Sequence, residues 1–328
     1  MTFSSASDRS QPPLIVAALG GNAISREDQE GNVDQQFQNS ERTAQALAGL
    51  LEAGNRLVVT HGNGPQIGNF LLRNEAAAKA IYPLPMEVAA AHVQGGMGYM
   101  IAQTLSNELH RQGKLVPVVA LITTVLVDRR DSAFENPTKP IGRTLTAKAA
   151  EQFARDEGWA MKEVSRGKFR RVVPSPAPRE ILELSAIRRS VDSGDVVVAC
   201  GGGGIPVIRD EEGLLRGVRA VIDKDLAAAL LAVELRASTL LILTSIDRVR
   251  IHFGTPREMA LDSMTIDEAE RHLNEGQFPP GSMGPKIQGA LNFLRGVSDA
   301  GAKVIIGPLD QAADAVAGQT GTRIVRSR

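Results

Sequence analysis

The sequence predicts an α/β protein built on a largely parallel sheet. Apolar strand-like runs alternate with helical patterns along most of the chain, which is the signature of strands joined by crossover helices. Three of those runs also end in a glycine-rich elbow. Leu14–Leu19 enters Gly20-Gly21-Asn22, residues 56–60 enter His61-Gly62-Asn63-Gly64-Pro65, and residues 195–200 enter Gly201-Gly202-Gly203-Gly204. A glycine elbow after a strand lets backbone N–H groups come close to an anion. Three of them at the ends of parallel strands predict convergence on a small, strongly anionic ligand.

Composition narrows the class. The 328 residues suffice for one large α/β domain or two smaller ones. Lys plus Arg and Asp plus Glu both number 37, so the formal net charge is zero, which argues against a protein built to coat nucleic acid. The single cysteine, Cys200, excludes an intramolecular disulfide framework and any multi-cysteine metal site, and fits a reducing compartment. Residues 1–13 are polar, end in Pro12-Pro13 and lack the apolar core of a signal peptide, so they read as a loose, disordered tail. No stretch has the length and purity of a membrane-spanning helix. The expectation is a soluble cytoplasmic protein.

The elements follow in order. After the first elbow, a stretch rich in Gln, Asn and Glu leads into a helix over 43–52, closed by Gly54. Residues 66–80 read as the next helix, with Ile67, Phe70, Leu71 and Leu72 apolar. Residues 84–109 read as helical with a glycine interruption at Gly95-Gly96. Residues 115–127 read as one strand buried on both faces, being nearly all apolar and β-branched. At Asp128 the composition turns polar, and 128–173 reads as an inserted subdomain or lid. Core-like patterns then resume, with strands at 195–200, 240–243 and 303–306 and helices at 225–235 and 286–300.

Familiar nucleotide motifs are missing. There is no G-x-x-x-x-G-K-[ST], and no G-x-G-x-x-G follows a strand, which weakens P-loop and dinucleotide readings. Three lysines stand out instead. Lys224 lies between Asp223 and Asp225 before a helix, Lys286 lies at another helix start, and Lys139 sits between Pro137-Thr138 and Pro140 in the inserted segment. A lysine gains nothing from the positive end of a helix dipole, so a shared anion accounts for it better. Each alone also fits a solvated surface lysine. Asp223 and Asp225 also fit plain helix caps, and Asn22 and Asn63 also fit left-handed turns. The five histidines show no metal-ligand spacing and read as structural. Cys200 reads as a small buried packing residue. The basic segment 166–171 fits either a solvated face or a lid that attracts anions.

Seven ordered segments then resemble the carbamate kinases of the amino-acid kinase superfamily. They begin with Ala18-Leu19-Gly20-Gly21-Asn22-Ala23-Ile24 and His61-Gly62-Asn63-Gly64-Pro65-Gln66, and continue with Asn136-Pro137-Thr138-Lys139-Pro140-Ile141-Gly142 and Val172-Val173-Pro174-Ser175-Pro176. The series closes with residues 200–206, Val221-Ile222-Asp223-Lys224-Asp225, and Pro280-Gly281-Ser282-Met283-Gly284-Pro285-Lys286. Sibling kinases carry a phosphate-contacting lysine at the end of the first strand, whereas the first lysine here is Lys79. In carbamate kinases a lysine from a protruding subdomain is thought to supply that charge, and Lys139 sits where it belongs. Two departures stand out: Gly142-Arg143-Thr144, where the family usually continues with Gly-Pro-Phe, and His252, where it more often has asparagine.

The resemblance implies a three-layer αβα sandwich with a mainly parallel central sheet and a protruding lid. A carbamate-binding part at 14–127, the lid at 128–173 and a nucleotide-binding part at 174–328 follow from it. The implied reaction is reversible phosphoryl transfer between ATP and carbamate, giving ADP and carbamoyl phosphate. It would run toward ATP in arginine, allantoin or purine breakdown. Gly20, Gly21 and Asn22 would donate to the transferring phosphoryl group, and Gly62, Asn63 and Gly64 would frame the carbamate pocket. Lys139 would touch the phosphoryl group from the lid, Lys224 and Lys286 would neutralise charge on the γ- and β-phosphates, and Asp225 would orient the lysines. Gly201, Gly202 and Gly203 would form the floor. Thr244, Ser245, Asp247, Met283 and Lys286 would lie against the nucleotide. Mg²⁺ would be held through the phosphates of ATP or ADP with no protein metal site. A homodimer is implied, with no nucleic-acid or membrane partner.

Overall fold

A computed structural model describes residues 11–26 and 28–327. The tail expected over 1–13 therefore falls mostly outside the described residues. Eight strands form the central sheet. Their spatial order is 263–265, 322–325, 303–308, 239–244, 14–19, 56–61, 196–198 and 118–120. Every neighbouring pair is parallel except 303–308 with 322–325. Leu14–Leu19 sits in the middle and is buried throughout. Leu14, Val16 and Ala18 join the core on one face, under helices Lys224–Glu234 and Met283–Gly296; Ile15, Ala17 and Leu19 join the core on the other, under Val33–Glu52 and Met86–Arg111. A strand apolar on both sides needs helices on both sides, and the result is the expected three-layer αβα sandwich.

Register places the elbows together. Leu19 stands opposite both His61 and Leu243, and Val59 stands opposite Val198. The three elbows and Thr244 thus leave the sheet along one edge, at the carboxyl ends of four adjacent parallel strands.

Several element boundaries differ from the sequence reading, each for a local reason. The helix expected at 43–52 begins at Val33, because Asn32 and Gln35 form a reciprocal capping box ahead of it. The helix Met86–Arg111 runs through Gly95-Gly96 without interruption. Both glycines lie on its exposed side, so neither disturbs packing. The single strand expected over 115–127 is two, Val118–Ala120 at the edge of the main sheet and Thr124–Val127 in a separate four-stranded sheet. The Gln94 amide supplies the missing ladder partner at the bend: its Nε2 donates to the Thr123 carbonyl at 3.1 Å and its Oε1 accepts the Thr123 N–H at 2.9 Å. The edge strand is only half-buried, so the expected burial on both faces fails there.

Residues 139–173 hold a small antiparallel sheet, Lys139–Thr146, Lys168–Val173 and Met161–Ser165, with the helix Ala147–Glu157 against it. It docks on the helix Gly64–Ala77. A Cβ on Gly68 would collide with the backbone of Gly142, which has φ +69°, so two glycines are needed where the chains cross. Beside the crossing, Arg171 lies 4.1 Å over the Trp159 ring and 3.6 Å from the Glu75 carboxylate, and Trp159 stacks on Phe153.

Candidate active site

The elbows are held in contact by backbone hydrogen bonds. Gly20 donates to the Leu243 carbonyl at 2.9 Å, and Gly62 donates to the Leu19 carbonyl at 3.0 Å. Gly20, Gly21 and Asn22 lead into a short 3-10 turn, Gly21–Ala23, whose start is fixed by Ala23 N–H donating to the Gly20 carbonyl at 3.0 Å. Pro65 opens the helix Gly64–Ala77 right after the second elbow, a favourable place for a residue without an N–H. Gly62 sits tightly between its neighbours: a Cβ there would lie 3.2 Å from Lys224 Cδ and 3.3 Å from the Gly21 N. Gly202 has φ +65° and a Cβ on it would run into the buried Asn63 amide, so the third elbow lies directly against the second. Gly201 and Gly203 are equally confined, by His61 and by the Ile222 carbonyl.

The lysines converge on two aspartates. Lys224 Nζ donates to Asp225 Oδ1 at 2.8 Å, and Lys286 Nζ donates to Asp225 Oδ2 at 2.9 Å. Lys139, at the start of the accessory sheet, donates to Asp223 Oδ2. Asp223 Oδ1 accepts the Asp225 N–H at 2.9 Å as the N-cap of Lys224–Glu234. Burial alone pushes the Asp225 carboxyl upward, but the Lys224 and Lys286 ammonium groups hold it well below the usual carboxylate range. Burial draws the Lys224 ammonium down from its ordinary value, opposed by Asp225.

A cleft of about 1110 Å³ opens over this cluster. Its wall includes Gly21, Gly62, Asn63, Gly64, Gly202, Lys139 and Lys224, so residues from all three elbows and two of the three lysines meet there. Lys286 reaches the cluster through Asp225 rather than through the wall. The residues expected against the nucleotide do not line this cleft. Thr244 lies beside Gly20, whose Cβ would come 3.9 Å from the Thr244 Cα. Ser245 is exposed, Asp247 is exposed and paired with Arg250 at 3.2 Å, and Met283 packs partly on the core beneath. Sequence reasoning gave no functional role to Asp223, and read Arg170 only as part of the basic segment 166–171, a solvated face or an anion-attracting lid. Arg170 lines the cleft with its Nε buried and without a hydrogen-bond partner among the described residues, and burial lowers its pKa. The signal for Asp223 was its place beside Lys224, which also fitted a cap.

Two groups that suggest acid–base or nucleophilic work are disqualified by burial. His61 is 1% exposed, and desolvation, reinforced by Lys224, lowers its pKa to about 4. Cys200 is fully buried and its thiol is pushed far up by burial. Among the described residues no group of three His, Cys, Asp or Glu is placed to hold a metal. The two aspartates of the cluster spend their oxygens on lysines and a backbone N–H. What the cluster offers is fixed donors and concentrated positive charge, the requirements of phosphoryl transfer.

The amino acid kinase family model matches residues 13–307, and the chain belongs to this family. The particular relatives narrow the class. A carbamate kinase of Pyrococcus horikoshii is 44% identical over 315 residues, covering 95% of this chain and 99% of the relative. The carbamate kinase-like protein YqeA of Escherichia coli is 46% identical over 313 residues, covering 94% and 98%. A solved carbamate kinase from Giardia lamblia bound to AMP-PNP superposes with a TM-score of 0.88 at 39% identity, covering 96% of this chain and 98% of that one.

Proposed function

We propose that this protein is a carbamate kinase. An oxygen of carbamate attacks the γ-phosphorus of ATP, the bond to the β-phosphate oxygen breaks, and ADP leaves as carbamoyl phosphate forms. Carbamate is already an anion, so no base is needed to activate it. Alignment and charge neutralisation are then the whole task. The observation that carries this reading is the convergence of Lys139, Lys224 and Lys286 on Asp223 and Asp225, beside a first elbow that has no lysine.

In this reading Gly20, Gly21 and Asn22 receive the transferring group, the second elbow frames carbamate, and the third elbow is the floor. Lys139 reaches the phosphoryl group from the lid side. Lys224 and Lys286 take charge from the γ- and β-phosphates, and Asp225 aims them. The nucleotide lies beyond Thr244, toward Ser245, Asp247 and Met283. Mg²⁺ would come with the nucleotide's phosphates, since Asp223 and Asp225 are already engaged by lysines and a backbone N–H, and would supply further charge neutralisation there. Carbamoyl phosphate is a mixed anhydride, so transfer to ADP is the downhill direction and the one we assign to arginine, allantoin or purine breakdown. A homodimer belongs to the same reading: Met86–Arg111 turns Val88 and Tyr99 outward, near exposed Ile122, and a second copy would cover that apolar face. Sedimentation velocity at micromolar concentration checks it.

The deciding experiment is a coupled assay of ATP formed from ADP and carbamoyl phosphate with Mg²⁺. Folded protein that makes no ATP overturns the proposal. Preference for acetylglutamate or UMP over carbamate in an ATP-dependent panel reassigns the substrate.

A further inference from the structure

Asp223 does two things at once. As the N-cap of Lys224–Glu234 it accepts the Asp225 N–H on Oδ1 at 2.9 Å. A cap needs no more than that. Its second oxygen, Oδ2, accepts the Lys139 ammonium. Lys139 begins the strand Lys139–Thr146 and has no other side-chain partner among the described residues. Asp223 is only 7% exposed, so its charge is weakly screened by solvent. One carboxylate therefore joins the accessory sheet to the N-terminal turn of the helix that carries Lys224 and Asp225. A lysine side chain is long and flexible, and an unheld ammonium samples many positions. Where catalysis consists of placing charge, the group that fixes the ammonium matters as much as the ammonium itself.

We propose that Asp223 is a positioning residue that holds the Lys139 ammonium in the cleft, in register with Lys224 and Lys286. This rests on the carbamate kinase reading above. Its carboxylate does not touch the transferring group; it acts through Lys139.

The cap and the charge are separable. Asparagine and serine cap helices about as well as aspartate but carry no charge. Asp223→Asn and Asp223→Ser are therefore expected to keep the thermal midpoint near that of the wild type. Turnover in the ADP plus carbamoyl phosphate assay is expected to fall about tenfold to a hundredfold, with the KM for ADP little changed. The double variant Asp223→Asn with Lys139→Met is expected to be no slower than Lys139→Met alone, because the two act in series. Turnover of Asp223→Asn within twofold of wild type reduces Asp223 to a cap and overturns the proposal. Faster turnover overturns it too, since Asp223 would then be restraining Lys139. So does a double variant that loses the full product of both single losses. An inactive wild type removes the carbamate kinase reading and this role with it. An active wild type with unaffected Asp223→Asn removes only the role of Asp223.

Discussion

Among the described residues, Lys139, Lys224 and Lys286 pair only with Asp223 and Asp225, three positive charges against two negative where a polyanion is expected. Attraction of this kind is strong in a poorly solvated cleft and adds little cost of reorganisation, because the aspartates already hold the lysines in place. Lys139 differs from the other two in coming from outside the sandwich. Removing it leaves the fold's core intact, since its side chain lies in the cleft and Asp223 is its one side-chain partner among the described residues. Fixed electrostatic donors at such positions are each worth about 2.7–4 kcal/mol of transition-state stabilisation. Lys139→Ala is therefore expected to lower turnover on the order of a hundredfold or more while the protein stays folded. Steady-state kinetics beside a thermal melt check this, and near-native turnover removes Lys139 from the mechanism.

At the scale of elements, the docking of the accessory sheet sets where Lys139 points. The crossing of Gly64–Ala77 with Lys139–Thr146 brings Gly68 against the Gly142 backbone, and backbone cannot move aside as a flexible side chain does. Gly68→Ala is expected to push the sheet away and to cost about 1–3 kcal/mol of stability by overpacking. Lys139 lies three residues before the crossing, so turnover is expected to fall with it. Trp159 is the single tryptophan and packs within this sheet between Phe153 and Arg171. Its emission therefore reports the displacement directly; unchanged emission and turnover in Gly68→Ala remove the crossing from the mechanism. How much of this was legible in the sequence depends on range. The elbows, the alternation of strands and helices and the lysines could be read because each is a local pattern. The bend at Thr123 could not, because it depends on Gln94, which is distant in sequence and silent until the fold brings it there. The partnership of Lys139 with Asp223 spans a still longer gap, 84 residues against 29. The early start of Val33–Glu52 is a different case, since its Asn32 and Gln35 box was present in the sequence and outweighed the polar composition that suggested a loop.

For the whole molecule, His61 ties stability to pH. It ends a central strand, and its ring lies under the third elbow, where a Cβ on Gly201 would strike it. Burial disfavours its charged form, Lys224 does the same, and the hydrogen bond to the Gly62 carbonyl opposes them; the net pKa is about 4 against 6.5 unfolded. Between those two values the unfolded chain binds more protons than the folded one, so stability rises with pH. The full contribution is present above 6.5 and is lost as pH falls toward 4, amounting to about 3 kcal/mol at one pKa unit per 1.36 kcal/mol. Glu75 acts with the opposite sign in the carboxylate range, since burial raises its pKa against the pull of Arg171. Asp225 acts lower still: its carboxylate is stabilised in the fold, and that contribution is lost only as pH falls through and below the ordinary aspartate value. The window from 6.5 down to 4 thus belongs chiefly to His61. Denaturant midpoints for the wild type are expected to fall across it, while those of His61→Gln start lower and change less. Equal slopes in the two proteins place the acid sensitivity elsewhere, and a wild-type midpoint that does not fall shows that the elbow can take up a charged imidazole without cost.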